Sequence, residues 1–373
     1  MTTKPKCLIP YCNRHDAADT IAEWRELETS MDLLKVRFND PLDLEKYMRT
    51  SQFEALWVTE DIFVFLGGLE RYYDHFPKTL RAIVVPWVGI DFIDKSKLKQ
   101  EKNIVLCNIG PNASEYVSEI ALHLTISCFR LTSFWEHTFR SVEQGSVSRC
   151  RDYIGGKLEG ADKFPSKLDS EHAKSLNMAQ DFVVGGKKVE SSGQKHALVL
   201  GFGSIGQAIG KKLYNALDMT VHYYKRSGPM SAENLGYSAI FHDSLDDPET
   251  WHDADVIVLA LPSSESTNDL INEETLALCK DGVRIVNVGR GSCVDEDALL
   301  KALDTGRVTS AGLDVYRNEE TQIDGRFLNR WDVTLLPHIG SAVTDIIEKQ
   351  TRVTLQNLES IFLKNEGGVY PVN

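Results

Sequence analysis

The chain has 373 residues, 42% of them hydrophobic and 25% charged, with 54 acidic against 41 basic side chains and a formal charge of −13. That length predicts two domains, and the balance of apolar and charged residues is that of a globular protein. So acidic a chain is excluded as a general binder of nucleic acid or of an anionic membrane surface, whereas a small anionic ligand responds only to local charge.

Seven cysteines (7, 12, 107, 128, 150, 279 and 293) are scattered without a CxxC pair, a pattern that suits free thiols in a reducing compartment. The pair in "CLIPYC" has no second pair to complete a metal site, and no metal is expected. The first residues, "MTTKPKCLIPYCNRHD", contain no apolar stretch of signal-peptide length. No run approaches the roughly 18 apolar residues of a membrane helix. A cytoplasmic location is therefore expected.

In chain order, the first hundred residues alternate apolar runs with amphipathic stretches: "KCLIPYC", "LLKVRF", "FEALWVT", "LRAIVVPWVG" and "NIVLCNIG". That rhythm predicts βα units around a parallel sheet. Residues 114–139 read as one long buried helix with Ser114 as its N-cap. Residues 141–195, rich in Gly, Ser and charge, read as a long connection or mobile flap.

Six strand candidates follow: "HALVLGFG", "TVHYYKR", "DVIVLALP", "VRIVNVGRG", "VTSAGLDVY" and "WDVTLLPHIG". Helical stretches such as "IGQAIGKKLYNAL" and "DEDALLKALDTG" lie between some of them. Apolar strands alternating with helices predict a parallel sheet covered on both faces. The tail "SAVTDIIEKQTRVTLQNLESIFLKN" predicts a helix that packs back on the first domain.

"VLGFGSIGQAIG" carries GxGxxG at Gly201, Gly203 and Gly206, after a strand and opening a helix. By itself the pattern is weak; in this context each glycine has a task. Gly201 permits the tight turn, Gly203 lets a pyrophosphate approach the backbone, and Gly206 lets helix and strand pack closely. Ser204 and Ile205 open the helix, whose free N–H groups face the phosphates. A plain βα turn is the competing reading.

The residue about 20 positions further on selects the dinucleotide, since NAD sites place an acid there. Here the second strand ends in Lys225, Arg226 and Ser227. Two cations and a hydroxyl suit a 2′-phosphate, where a carboxylate would repel it. NADP(H) is the expected cofactor, with NAD(H) possible. The competing reading is a solvated strand end.

Three further strand ends carry polar groups: Arg290 between glycines in "NVGRGS", Asp314 and Glu319 in "AGLDVYRNEE", and His338 in "LLPHIGSA". In open α/β sheets such ends are where ligands bind. Singly, each could be a solvated side chain or a cap.

"GFGSIG", "NVGRG…VDEDAL", "AGLDVY…E" and "LLPHIGSA", in this order, resemble the D-isomer-specific 2-hydroxyacid dehydrogenases, most of all the glyoxylate/hydroxypyruvate reductase branch and its fungal relatives. The resemblance is dense over residues 196–342 and fainter over 81–130. It implies an α/β fold, with a Rossmann doubly wound cofactor domain and a second, flavodoxin-like substrate domain. The implied division is 1–112 plus 341–373 for the substrate domain and 113–340 for the cofactor domain, with a long insertion at 141–195 and the active site between them.

Residue by residue, the resemblance makes Arg290 the anchor of a substrate carboxylate, a fixed fork that matches it bidentately. His338 becomes the acid that protonates the carbonyl oxygen. Glu319 becomes its carboxylate partner; formate dehydrogenases carry Gln at that position. Asp314 would orient the nicotinamide amide, Val288, Pro262 and Thr267 would line the cofactor groove, and the N–H groups of Val88 and Gly89 would cradle the carboxylate. A homodimer through the cofactor domain is implied, with the 114–139 helix as a contact.

Two positions depart from the family pattern: Glu320 follows Glu319 where Pro is usual, and Trp87 stands where a small residue is common. The expected activity is hydride transfer from NADPH to a small 2-oxoacid such as glyoxylate or hydroxypyruvate. The rivals are a catalytically weak NAD(P)(H)-sensing scaffold or corepressor-like protein, and an NAD-linked dehydrogenase working oxidatively.

Overall fold

The computed structural model describes residues 4–141, 145–158, 164–169, 171–177, 180–319 and 321–373. Glu320 lies outside them. The chain divides into two compact units, Met1–Ala113 with Ser341–Asn373, and Ser114–Gly340.

In the first unit, β1 (Lys6–Tyr11), β2 (Asp32–Arg37), β3 (Ala55–Trp57), β4 (Ala82–Val84) and β5 (Val105–Cys107) form one parallel sheet in the order β2-β1-β3-β4-β5. These are the five apolar runs named above. Leu8, Leu56, Ile83 and Leu106 face one core, while Cys7, Trp57, Val84 and Cys107 face the other. Alternate side chains of the inner strands are thus buried on both faces, which is why their runs read as nearly continuously apolar, whereas the edge strand β2 carries exposed Lys35 and Arg37. The tail helix, Thr344–Phe362, belongs to this unit and lays Leu355, Leu358 and Ile361 on the second core.

The second unit holds a small hairpin, β6 (Val183–Val184) and β7 (Lys187–Lys188). It also holds β8 (His196–Leu200), β9 (Thr220–Tyr224), β10 (Ala239–His242), β11 (Val256–Leu259), β12 (Val283–Asn287), β13 (Val308–Leu313) and β14 (Val333–Leu335). The last seven make a parallel sheet ordered β10-β9-β8-β11-β12-β13-β14. The direction of winding reverses between β8 and β11, the point at which such sheets bind ligands. Strand β10 escapes the sequence reading because it is a four-residue strand at the sheet edge with no buried residue, and its apolar run is only three residues long. A chain of imidazoles crosses that edge: His196 Nδ1 lies 2.9 Å from His222 Nε2, and His222 Nδ1 lies 2.9 Å from His242 Nε2. Burial pushes the middle ring, His222, down to about 4.

Two expectations are corrected. The 114–139 helix is two helices, Ser114–Arg130 and Thr132–Ser141. Leu131 between them has φ +51°, a conformation few side chains tolerate, and is held there by burial with Phe134, Tyr153, Val184 and Trp331. Ser114 starts the first helix without capping it, since its buried hydroxyl has no partner.

The described part of 141–195 is also more ordered than a flap. It carries a short helix, Val147–Arg151, and the hairpin, and it contributes Tyr153, Val184 and flanking Val189 to that aromatic core. Lys187 on β7 is buried beside Asp332, donates to Leu303 O at 2.9 Å, and shares the carboxylate with Arg330 Nε at 2.8 Å. Burial favours the protonated acid, but the two cations outweigh it and hold Asp332 below the usual carboxylate range.

Replacing Asp332 by Asn strands Lys187, which is 8% exposed, without its anion. The expected loss is about 3 kcal/mol of folding free energy, as for other buried pairs broken on one side. Urea unfolding of wild type and Asp332→Asn would measure it, and a change within about 0.5 kcal/mol would show the pair to be incidental.

Candidate active site

At the glycine turn, Gly201 and Gly206 have the tight turn and close packing expected of them. Strand β8 runs into Gly201 at φ +90°, and the helix Ser204–Leu217 begins immediately after Gly203. A Cβ on Gly201 would lie 2.6 Å from Ala260 O, at the end of β11 across the switch point, and one on Gly206 would lie 2.1 Å from Gly201 O. Both positions are closed to side chains by backbone. A Cβ on Gly203 meets nothing within 4 Å, so the turn is open where a pyrophosphate must approach. Ser204 and Gly203 are exposed, Ile205 is half-buried, and Phe202 between the glycines is buried and stacked on Tyr223 at 4.1 Å. The turn therefore rests on the very strand that leads to the cation pair.

Strand β9 ends at Tyr224; Lys225 is half-buried beside Met230 Sδ at 3.1 Å, and Arg226 and Ser227 are exposed. No acid occupies this strand end. After β11, Thr267 Oγ1 donates to Pro262 O at 2.7 Å and accepts from Ser264 N at 2.9 Å, closing that loop on itself. Val288 is buried at the end of β12.

Arg290 follows on the same loop, wedged between two glycines that cannot be replaced. A Cβ on Gly289 would reach Leu261 O at 2.7 Å, and one on Gly291 would reach Tyr316 C at 1.9 Å. Asn287, buried at the last position of β12, accepts from Gly289 N at 3.0 Å and donates to Arg290 O at 2.9 Å. Motif reading passed over this brace; its signal is a polar residue ending the apolar run "RIVN".

Asp314, just past β13, is 1% exposed. Its Oδ1 accepts from Ile339 N and its Oδ2 from Gly340 N, both at 2.8 Å. Burial outweighs these bonds and raises its pKa. The two amides follow His338, whose φ of +54° is left-handed and costly for a residue other than glycine. Asp314 thus holds the strained loop that presents the imidazole.

His338 Nδ1 lies 3.0 Å from Glu319 Oε1, and Glu319 Oε2 accepts from Tyr316 N at 3.2 Å. The bond to Glu319 raises the pKa of His338 against burial and the nearby charge of Arg290. Burial would raise Glu319, but the bond and charge of His338 outweigh it, and with Arg290 hold the carboxyl below its usual value. Because Glu319 engages Nδ1, Nε2 is the nitrogen left to exchange a proton with a ligand. A cavity of about 420 Å³ adjoins the pair, lined also by Tyr316, Ile323, Leu328 and Leu335–Pro337.

In the first unit, Val88 and Gly89 follow β4 on a half-buried loop. Asn108 Nδ2 donates to Val88 O at 2.8 Å, and Asn357 Nδ2 from the tail helix donates to Asn108 O at 2.9 Å. The N–H groups of Val88 and Gly89 are not taken by other described residues. Asn108, like Asn287, is a brace that motif reading missed, and it too ends a β run.

The glycines separate binding from folding. Gly203→Ala adds a methyl group to open space at a φ of −75°, so its Tm is expected within about 2 °C of wild type, while affinity for a nicotinamide dinucleotide drops at least roughly tenfold. Gly206→Ala forces its Cβ against backbone and lowers Tm by about 4 °C or more. Thermal melts with fluorescence titration of the reduced cofactor separate the two outcomes.

A family model described as "D-isomer specific 2-hydroxyacid dehydrogenase, NAD binding domain" matches residues 171–340. A Saccharomyces cerevisiae protein provisionally named a 2-hydroxyacid dehydrogenase is 48% identical over 385 aligned positions, covering 100% of this chain and 97% of that one. A hydroxypyruvate reductase of Thermotoga maritima is 30% identical over 88% of this chain and 97% of its own. Among solved structures, the holo form of Rhodotorula graminis D-mandelate dehydrogenase superposes with a TM-score of 0.81 at 24% identity, covering 100% of this chain and 98% of that one, a likeness of fold. The full-length match and the family model over the sheet that carries the glycine turn lead to one assignment: the chain belongs to the D-isomer-specific 2-hydroxyacid dehydrogenases, NAD(P)-dependent oxidoreductases acting on CH–OH groups.

Proposed function

We propose that the protein reduces a small 2-oxoacid, such as glyoxylate or hydroxypyruvate, to the D-2-hydroxyacid, using NADPH. The observation that carries this reading is the Glu319–His338 pair, 3.0 Å apart and within the electrostatic influence of Arg290. One carbonyl, one hydride and one proton give one hydroxyl group, and NADP⁺ leaves. When bound, NADPH supplies the hydride to the carbonyl carbon.

The residues of the chain supply everything else. Arg290 holds the substrate carboxylate and draws electron density from the adjacent carbonyl. His338 delivers the proton from Nε2 to the carbonyl oxygen, and Glu319 stabilises the imidazolium before transfer. The amides of Val88 and Gly89 suit a carboxylate oxygen. Asp314 keeps a second lone pair on each oxygen, with which it would accept from a nicotinamide carboxamide. Val288, Pro262 and Thr267 shape the groove on the β11–β12 side. The unit 114–340 is then the cofactor unit, and 1–113 with 341–373 the substrate unit.

NADPH rather than NADH is favoured by the acid-free end of β9. We read the protein as a cytoplasmic homodimer. Its thiols support the location, since none of the seven cysteines is in a disulfide, as suits a reducing compartment. The dimer is supported by an apolar groove of about 640 Å³ on the cofactor unit, lined by Ile126, Trp135, Phe139, Val147, Ile154 and Phe182, of which Phe139, Val147 and Phe182 are exposed.

The test is NADPH loss in the presence of glyoxylate, hydroxypyruvate and branched 2-oxoacids. Absence of turnover with all of them, together with tight NADPH binding, would favour the sensing scaffold. Charge-assisted hydrogen bonds contribute about 1.5–3 kcal/mol. Lys225→Ala with Arg226→Ala is therefore expected to lower the NADPH-over-NADH ratio in kcat/KM by roughly tenfold to a hundredfold. An unchanged ratio makes the pair a solvated strand end.

The pH dependence has a definite sign. His338 must carry its proton for reduction, so the reductive rate falls as pH rises through the raised pKa of the coupled pair, and the oxidative rate rises. Glu319→Gln removes the charge that raises His338, so the alkaline limb should move to lower pH, with the rate at pH about 8 falling most. A limb that stays in place in Glu319→Gln would show that another group governs it.

A further inference from the structure

The first unit carries an aromatic cluster that the proposed reaction leaves without a task. Phe63 and Phe92 meet edge to face with ring centroids 4.3 Å apart, and Trp87 lies 6.2 Å from each. All three pack on the core below, yet remain partly exposed. Phe63 sits on the helix Glu60–Val64, and Val64 and Phe65 beside it are 52% and 48% exposed. Trp87 is the residue immediately before Val88 and Gly89, so its ring and, five residues on, that of Phe92 share one short segment with the two unclaimed amides, and Phe63 packs on them from the helix.

Both the loop and the helix are anchored. Asn108 pins the carbonyl of Val88 at 2.8 Å. Asp61, buried on the Phe63 helix, accepts from the amides of Cys12 and Asn13 at 2.6 and 2.8 Å and so anchors that helix to the end of β1. The three rings offer a single polar atom, the indole N–H. A hydroxymethyl group brought against them would lose water without finding enough partners, whereas an apolar or aromatic group would gain contact area and edge-to-face packing.

We infer that Trp87, with Phe63 and Phe92, is a specificity wall for the 2-substituent, and that the preferred substrates are 2-oxoacids bearing an aromatic or branched aliphatic group. The inference rests on the 2-oxoacid reductase reading and moves its preferred substrate from the small acids glyoxylate and hydroxypyruvate to larger ones. The amides of Val88 and Gly89 hold the carboxylate end while Trp87, one residue away, meets the substituent.

The test compares kcat/KM at saturating NADPH for glyoxylate, hydroxypyruvate, 4-methyl-2-oxopentanoate and phenylpyruvate with the wild-type protein. The last two are expected to exceed the first two at least about tenfold, the usual effect of filling or leaving empty an apolar pocket. In Trp87→Ala the phenylpyruvate-to-glyoxylate ratio should fall by roughly tenfold or more, and in Trp87→Phe it should stay within about threefold of wild type.

Highest kcat/KM for glyoxylate or hydroxypyruvate overturns the inference and makes Trp87 a filler that confines the site to small acids, while the reductase reading stands. An unchanged ratio in Trp87→Ala also overturns it. No turnover of any of the four acids, with NADPH still bound, overturns the reductase reading itself. The wild-type comparison and Trp87→Phe decide the matter even if Trp87→Ala fails to fold.

Discussion

Much of the candidate site hangs on one buried carboxylate. Asp314 gives an oxygen to each of two consecutive amides, Ile339 and Gly340, and thereby fixes the chain directly after His338. His338 itself stands in left-handed backbone, which would relax without such a clamp. Remove the clamp, and the 3.0 Å approach of His338 to Glu319 has no reason to persist. The raised pKa of the imidazole depends on that approach, so the electrostatics of the pair follow from backbone geometry two residues away.

The same economy recurs in two asparagines. Asn287 braces the loop of Arg290, and Asn108 braces the loop of Val88. Each ends a parallel strand, where the ladder stops and backbone groups lose their partners. A side-chain amide can donate and accept at once, so one buried residue satisfies both directions and sets the loop in place. The polar atoms that ligands would meet then stand on strand ends rather than on free loops.

Charge is arranged locally against the trend of the chain. The protein is strongly acidic overall, yet the end of β9 presents Lys225 and Arg226, and the β12 loop presents Arg290. Screening over about 8 Å at physiological ionic strength makes these neighbourhoods nearly independent of the distant surface. The global charge bears on solubility and on repulsion from polyanions; recognition of a phosphate or carboxylate is decided within a few ångströms.

What the amino-acid sequence determines alone is what local physics encodes. Most of the five apolar runs of the first unit and the six of the second are legible as strands because residues buried on both faces must be nearly continuously apolar. The glycines at 201, 203 and 206 can be assigned tasks from spacing, since turn, approach and packing all lie within one βα junction. Where burial is partial the pattern fades, and the edge strand β10 goes unseen.

Tertiary structure decides whatever depends on distant partners. The break at Leu131 has no helix-breaking residue behind it; a core shared with Tyr153, Val184 and Trp331 imposes it. The same core gives order to a Gly- and Ser-rich stretch that composition reads as a flap. Glu319 and His338 can be named from motifs, but only the register of β13 beside β14, and the Asp314 clamp across it, brings them within hydrogen-bond reach. Sequence spacing carries information over a turn or a strand; contacts between side chains far apart in the chain are set by packing, which no single stretch of residues records.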